Sequence, residues 1–198
     1  MLPDPWLTRW LPLATARAEG ALVLEIGCGH GDDTVSLADA GLRVMAFDLS
    51  AVSVAIAKAR APSAIIECRD IREPLPEPAR ELGVVVASLS LHYFAWDETV
   101  DLVRRIRAVL RPGGLLLCRL NSTEDRNFGA HGHAEIEPNF FLVNGEPKRF
   151  FDAASVRSLF ADGWHPLSVE HVATLKYVRP KALWEVVVER VAGRTAAM

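Results

Sequence analysis

Short apolar runs alternate with amphipathic stretches over most of the chain. Trp6 to Ala18 carries Leu7, Trp10, Leu11, Leu13, Ala14 and Ala18 on one helical face, so the spacing predicts a helix within residues 1–20. ALVLEI (21–26) is too continuously apolar to be half exposed and reads as a buried strand. DDTVSLADA (32–40) reads as a helix opened by two acids, which suit the positive end of a helix, and closed by Gly41. RVMAFD (43–48) is a second strand, followed by a helix over SAVSVAIAKARA with Ser50 as N-cap. AIIEC is a third, short strand, the Pro-rich REPLPEPARE a loop, and the β-branched GVVVASLSL a fourth strand. DETVDLVRRIRAVL is amphipathic, with Val100, Leu102, Val103, Ile106, Val109 and Leu110 on its apolar side; RPGG breaks it, and LLLCRL is a fifth strand.

The pattern changes after Asn121. Residues 121–151 follow neither period and contain Gly129, Gly132, Gly145, Pro138, Pro147 and several phenylalanines. So long an aperiodic stretch inside a domain points to a cover or a disordered segment, and the phenylalanines argue against disorder. It is expected to be a substrate-covering insertion. A helix follows at Ala153–Ala161, closed by Gly163, and then two strand-like runs, LSVEHVATL and ALWEVVVERV, joined by KYVRP. A connection that short can only join antiparallel neighbours. The fold class is therefore α/β: a doubly wound, mostly parallel sheet of seven strands with an antiparallel C-terminal pair, in a single domain over 1–198.

Composition changes this picture little. Half of the 198 residues are hydrophobic and the net charge of −3 gives no basic footprint, so no nucleic-acid partner is expected. Cys28, Cys68 and Cys118 form no CxxC pair and read as reduced, mostly buried thiols of a cytoplasmic protein. The first twenty residues make a poor secretory signal and no run is long enough to span a membrane.

Chemistry concentrates at VLEIGCGHGDD (23–33). Glycines 27, 29 and 31 allow a sharp strand-to-helix turn and close approach of a ligand to the backbone. A plain tight turn would use them in the same way. A dinucleotide fingerprint needs Gly or Ala at position 32, which is Asp32, and Asp33 follows; a phosphate-binding loop lacks its Lys-Ser/Thr pair. Two carboxylates there favour a cationic or zwitterionic ligand over a phosphate.

LEIGCGHG resembles the first motif of class I S-adenosylmethionine-dependent methyltransferases, with Glu25 as its acidic residue. Further landmarks follow in order. FDLS is similar to the end of that family's second strand, which implies Asp48 on the ribose hydroxyls and Leu49 against the adenine. CRDI implies Asp70 near the adenine amino group and Ile71 on the ring face. SLSLHYF, beginning at Ser88, matches the segment bordering the methyl group, and VLRPGGLLL the turn into the fifth strand. The resemblance implies a Rossmann-like methyltransferase fold, S-adenosylmethionine as cofactor with S-adenosylhomocysteine as product, and a cofactor site at Glu25, Gly27, Cys28, Gly29, Gly31, Asp48, Leu49, Asp70, Ile71 and Ser88.

Methyl transfer needs a base only if the acceptor is protonated. His92 and Tyr93, then His131 and His133 with Glu135, are the candidates; packing or solvated roles are open for each. His131-x-His133 with Glu135 also suggests metal ligands, but without a second cluster no metal is expected. Trp96, Phe128, Phe140 and Phe141 could wall an acceptor pocket or simply pack. SLSLHYF lacks the Asn/Asp-Pro-Pro-aromatic motif and the Pro-Cys pair of nucleic-acid methyltransferases, which leaves a small-molecule acceptor as the expectation. An oxidoreductase on a dinucleotide fold and a non-catalytic cofactor-binding module stay open as alternatives.

Overall fold

The computed structural model describes residues 6–77 and 79–192. The part of the N-terminal reading that falls on residues 1–5 lies outside them. A short 3₁₀ turn at Thr8–Trp10 leads into α1 (Leu11–Ala18); Pro12 in the first helical turn explains why the α-helix starts later than the apolar spacing begins. β1 (Leu22–Ile26), α2 (Asp32–Asp39), β2 (Arg43–Asp48), α3 (Ala51–Arg60) and β3 (Ile65–Cys68) follow in strict alternation. Ser50 caps α3 as expected, its hydroxyl accepting from the Ser53 amide at 3.2 Å.

β4 (Leu82–Ser88), α4 (Trp96–Val109) and β5 (Leu110–Asn121) complete the parallel part. β5 begins earlier than the run LLLCRL, because Arg111–Gly114 does not leave the sheet. The strand passes through it as an irregularity, where the register against β4 shifts between Leu82 and Val84. β9 (Trp164–Thr174) and β10 (Lys181–Arg190) enter antiparallel after α5 (Ala153–Leu159), giving the order β3-β2-β1-β4-β5-β10-β9. β10 pairs with β5 from Leu183 opposite Asn121 to Glu189 opposite Leu115.

The inner strands of the sheet are buried on both faces, whereas the edge strands β3 and β9 are partly exposed. Leu24, Ile26, Val85, Leu116 and Val186 pack with α4 and α5 on one side, while Val23, Val84, Val86, Leu115 and Val187 pack with α1, α2 and α3 on the other. The strand order reverses between β1 and β4, and in such sheets a ligand crevice opens at the carboxyl ends of the strands flanking that reversal. Every site residue proposed from the first four strands lies at or just beyond those ends.

Residues 121–151 depart from the expectation of irregular structure. They hold a second, antiparallel sheet of β6 (Ala134–Glu137), β7 (Phe140–Val143) and β8 (Glu146–Arg149), in the order β6-β7-β8. The β7–β8 turn is Asn144-Gly145, both at positive φ (53° and 84°), the backbone that a two-residue hairpin loop requires. Burial along β7 runs buried, intermediate, exposed, buried, so no clean period-two signal reaches the sequence. Arg149 bolts this sheet to the β4–α4 connection. It is 3% exposed, its amide donates to the His92 carbonyl at 2.7 Å, its Nε donates to the Phe94 carbonyl at 3.0 Å, and its guanidinium pairs with Glu137.

The three cysteines are free; Cys28 and Cys118 are buried, whereas Cys68 is exposed because β3 is an edge strand. Among the described residues no helix is long and apolar enough to cross a membrane.

Candidate functional site

The glycine loop is built around β2 as much as around β1. The Gly27 and Cys28 amides both donate to the Phe47 carbonyl, at 2.8 and 3.1 Å, and the Gly29 amide donates to Asp48 Oδ2 at 2.9 Å. Two of the glycines are required for different reasons. A Cβ on Gly27 (φ +71°) would lie 2.4 Å from Ser90 Cβ, so the strand end and the β4 loop meet only across a glycine. Gly29 (φ +53°) has no protein atom within 4 Å of where its Cβ would be; that side of the loop opens onto a cavity.

The cavity is large, with a volume of ≈ 1170 Å³. At one end it is walled by Gly27, Gly29, Asp48, Leu49, Asp70 and Ile71, and in the middle by Ser88, Leu89 and Ser90. At the other end stand His92, Tyr93, Asn121, His133, Lys148 and Lys181, with Phe128, Val143 and Pro147 from the insertion. A smaller hollow of ≈ 160 Å³ adjoins it, lined by Glu25, Cys28, His30, Asp32, Asp33 and Arg119, and shares Gly27, Gly29, Ser88, Leu89 and Tyr177 with the first. All ten residues of the implied cofactor site except Gly31 thus line these two spaces. Gly31 instead caps α2 at φ +83°, its amide donating to the Cys28 carbonyl at 2.9 Å.

The carboxylates differ in what they are free to do. Asp48 accepts from the Gly29 amide and, through Oδ1, from the Ser50 amide at 2.9 Å; each oxygen keeps further acceptor capacity toward the cavity. Asp70 accepts from the Arg72 amide at 2.9 Å and lies 3.5 Å from its guanidinium. Glu25 is 2% exposed and accepts from the Thr34 hydroxyl at 2.6 Å; burial first, then Asp33, Asp48 and Asp32, push its carboxyl up to about 8. Asp32 and Asp33 do not act as the sequence suggested. Asp32 is paired with Arg60 at 2.6 Å and with Lys176 at 2.9 Å, and Asp33 accepts from the Trp6 indole N–H at 2.9 Å. The charge of Asp32 is met within the chain and Glu25 holds its proton at neutral pH, so the negative charge of the loop interior comes from Asp33 and Asp48.

His92, Tyr93 and His133 share the far end of the cavity; His131 does not reach it, and Glu135 accepts from the Asn139 amide at 3.2 Å instead. Among the described residues no three His, Cys, Asp or Glu side chains converge as metal ligands would. His92 is 5% exposed, and burial, with Lys181 and Lys148, pushes its imidazole down to about 3. It is a neutral hydrogen-bonding group rather than an effective base at neutral pH. Burial likewise raises the Tyr93 phenol, and burial pushes the Cys28 thiol up to about 12. Of the four aromatic residues, Phe128 lines the cavity, while Trp96 and Phe140 pack around Arg149, at 5.7 and 4.9 Å, and Phe141 packs against Phe150.

Several wall residues were not foreseen. Leu89 adopts φ +54°, a strained backbone for a residue with a side chain, and its amide donates to the Arg119 carbonyl at 3.0 Å. Arg119 Nε donates to Ser88 Oγ at 2.9 Å. Lys181, 7% exposed, pairs with the buried Asp125 at 3.0 Å and lies over the Phe128 ring at 4.8 Å. Leu89 lies within SLSLHYF, but Arg119, Lys181 and Asp125 come from β5, β10 and the insertion, where nothing local in the sequence marks them; Asn144-Gly145 is the one readable signal for the sheet that carries Lys148.

A family model described as a methyltransferase domain matches residues 23–114. An uncharacterized methyltransferase of Synechocystis sp. is 33% identical over 106 residues, which are 53% of this chain and 50% of that protein. This chain spans half or less of the length of the first curated relatives it matches. A solved S-adenosylmethionine-dependent methyltransferase from Methanosarcina mazei aligns with a TM-score of 0.75 at 18% identity, covering 92% of this chain and 98% of that one. The 1,6-didemethyltoxoflavin-N1-methyltransferase of Burkholderia thailandensis, solved with its acceptor and S-adenosylhomocysteine, aligns at 0.68 and 18% identity over 94% of this chain and 79% of that one. The matched domain covers β1 to the start of β5, and the whole sheet, with its antiparallel C-terminal pair, has the Rossmann-like fold of the solved S-adenosylmethionine-dependent methyltransferases with which the chain aligns.

Proposed function

We propose that this chain is an S-adenosylmethionine-dependent methyltransferase acting on a small-molecule acceptor. The observation that carries this is the single cavity running from Gly29 and Asp48 to His92 and Lys181. Drug-sized ligands fill pockets of about 300–1,000 Å³; a space of ≈ 1170 Å³ has room for the cofactor and a modest second molecule. The insertion covers the second half of that space, which favours a small acceptor over a polymer. The Burkholderia relative, solved with a small acceptor and the demethylated cofactor together, is consistent with that arrangement.

The residues present fit the cofactor. Gly29 leaves open space at the loop, Asp48 offers acceptor capacity for the ribose diol, and Leu49, 68% exposed, is an apolar surface on the cavity wall. Ile71 offers a second apolar wall, Asp33 supplies negative potential for the ammonium end, and Glu25 is poised to ionise when that end binds. When bound, the cofactor supplies a sulfonium-borne methyl group. The chain's share is alignment and exclusion of water: Ser88–Ser90 at the middle of the cavity separate the two halves, and residues 121–151 act as the cover of one domain.

The test is calorimetry with S-adenosylmethionine and S-adenosylhomocysteine, followed by a screen for S-adenosylhomocysteine release against metabolite pools. Tight binding of a nicotinamide dinucleotide with no binding of either sulfur compound would overturn the reading in favour of an oxidoreductase. Cofactor binding without release across a broad panel would leave a cofactor-binding module.

A further inference from the structure

The far end of the cavity is cationic, and its cations are held in place. Lys181 is fixed by three contacts: Asp125 Oδ2 at 3.0 Å, the Phe128 ring at 4.8 Å and the Tyr177 ring at 5.9 Å. An ammonium has three N–H donors, and Asp125 uses one of them. Asp125 is buried and is not among the residues that line the cavity, whereas Lys181, Phe128 and Tyr177 all line it. Lys148 stands on the same wall with its ion-pair partner Glu146 at 3.6 Å, beyond hydrogen-bonding range, and Glu146 is largely exposed. His92 lines the same wall, and both lysines act on its imidazole in the same sense, disfavouring its protonated form; Glu146 also lines this wall, beside Lys148. Asn121 completes this end, 2% exposed and with its side-chain oxygen unpartnered, as is His92 Nδ1. Two ammonium groups on one wall, one of them only loosely paired, beside neutral hydrogen-bonding groups, suit an anionic ligand.

Taking the methyltransferase reading as its basis, we infer that the acceptor is a small carboxylic acid, bound with its carboxylate on Lys181 and Lys148 beside His92. The fixed ammonium of Lys181 sets the position of the carboxylate, and Lys148 exchanges the loose contact with Glu146 for it. Carboxylates are already ionised at neutral pH, so binding requires no proton transfer from His92.

The experiment pairs small organic acids with their primary amides and methyl esters. Each member is offered to the full chain with S-adenosylmethionine, reading S-adenosylhomocysteine release, and to the S-adenosylhomocysteine-loaded chain by calorimetry. Acids are expected to bind and turn over, with each neutral partner at least about tenfold poorer, as loss of a charge-assisted hydrogen bond implies. Lys148→Met, at a partly exposed position whose partner is free to return to water, is expected to raise KM for the acids several-fold with affinity for S-adenosylmethionine unchanged. Lys181→Met is expected to abolish the preference for acids over amides; should burial of Asp125 prevent its folding, Lys148→Met and the paired panel still decide. Neutral acceptors turned over as well as acids, or no acid binding the loaded chain, overturns the inference while leaving the methyltransferase reading intact. Failure of the chain to bind either form of the cofactor overturns that reading itself.

Discussion

Lys176 donates to Asp32 Oδ2 at 2.9 Å, tying the turn between β9 and β10 to the first turn of α2, 144 residues earlier. The neighbouring Tyr177 lines both the large cavity and the small hollow, so the turn lies as a strap across the glycine loop. Arg60 secures the other oxygen of Asp32 and also donates to the His30 carbonyl at 2.8 Å. The acids that the sequence offered as ligand contacts are, in part, the fastening of this strap.

Lys176→Met should therefore separate stability from residence time. Asp32 is about half exposed, and such ion pairs contribute about 0–1 kcal/mol to folding. The midpoint of unfolding should move little, whereas S-adenosylhomocysteine should dissociate several-fold faster, as read by stopped-flow fluorescence. An unchanged off-rate would show that the turn does not gate the site.

Asp48 is the residue on which the cofactor end most depends, because it both shapes the loop and faces the cavity. Asp48→Ala removes the acceptors of the Gly29 and Ser50 amides and, in the proposed function, those offered to the ribose hydroxyls. Cofactor affinity should fall by about 1–3 kcal/mol, with the methyl acceptor's own affinity for the loaded enzyme much less affected. Calorimetry on the two ligands separately checks this, and an unaltered cofactor affinity would place the site elsewhere.

Arg149 gives the sharpest stability prediction. Its guanidinium satisfies the Phe94 and Pro138 carbonyls and Glu137, while Glu137 also accepts from the Trp96 amide at 2.6 Å. Arg149→Met strands these acceptors in a site where the arginine itself is 3% exposed. A loss of about 2–4 kcal/mol is expected from chemical denaturation. Since the Arg149 guanidinium holds the small sheet that carries Lys148 to the Phe94 carbonyl, two residues from His92, turnover in folded Arg149→Met should fall further than cofactor affinity does. Equal losses would mean that the small sheet braces the whole fold rather than the acceptor end.

What was legible in the sequence follows from where the information sits. β1, β2, β4 and β5 are largely buried on both faces, so their apolar runs are continuous, and the helices have one dry side; both signals are local. The cofactor residues also sit within a few positions of a strand end, where a motif can record them. The acceptor end is different in kind. Lys181, Asn121, Tyr177 and Lys148 arrive from four separate segments and meet only because β10 inserts between β5 and β9 and the β6–β8 sheet folds back on His92. No spacing rule links such positions. Asp32 shows the converse failure: its place in a motif was readable, but Lys176, which neutralises it, lies at the far end of the chain.

Glu25 provides a test in which the sign is determined by direction alone. Its carboxyl titrates at the ordinary 4.5 when unfolded and at about 8 when folded. The folded chain therefore carries a proton that the unfolded chain lacks between those values. The stability this contributes is full below 4.5 and is lost as pH rises through about 8. Glu25→Gln removes the titration, so its stability should exceed the wild type's by a margin that widens from mildly acidic to mildly alkaline pH, reaching the order of a few kcal/mol. The cofactor's cationic end favours the ionised carboxylate, so wild-type cofactor affinity should rise with pH over the same range, with net proton release on binding. Calorimetry in buffers of different ionisation enthalpy counts that proton. Parallel stability curves and no proton release would mean that Glu25 stays ionised beneath the glycine loop, held there by Thr34 alone.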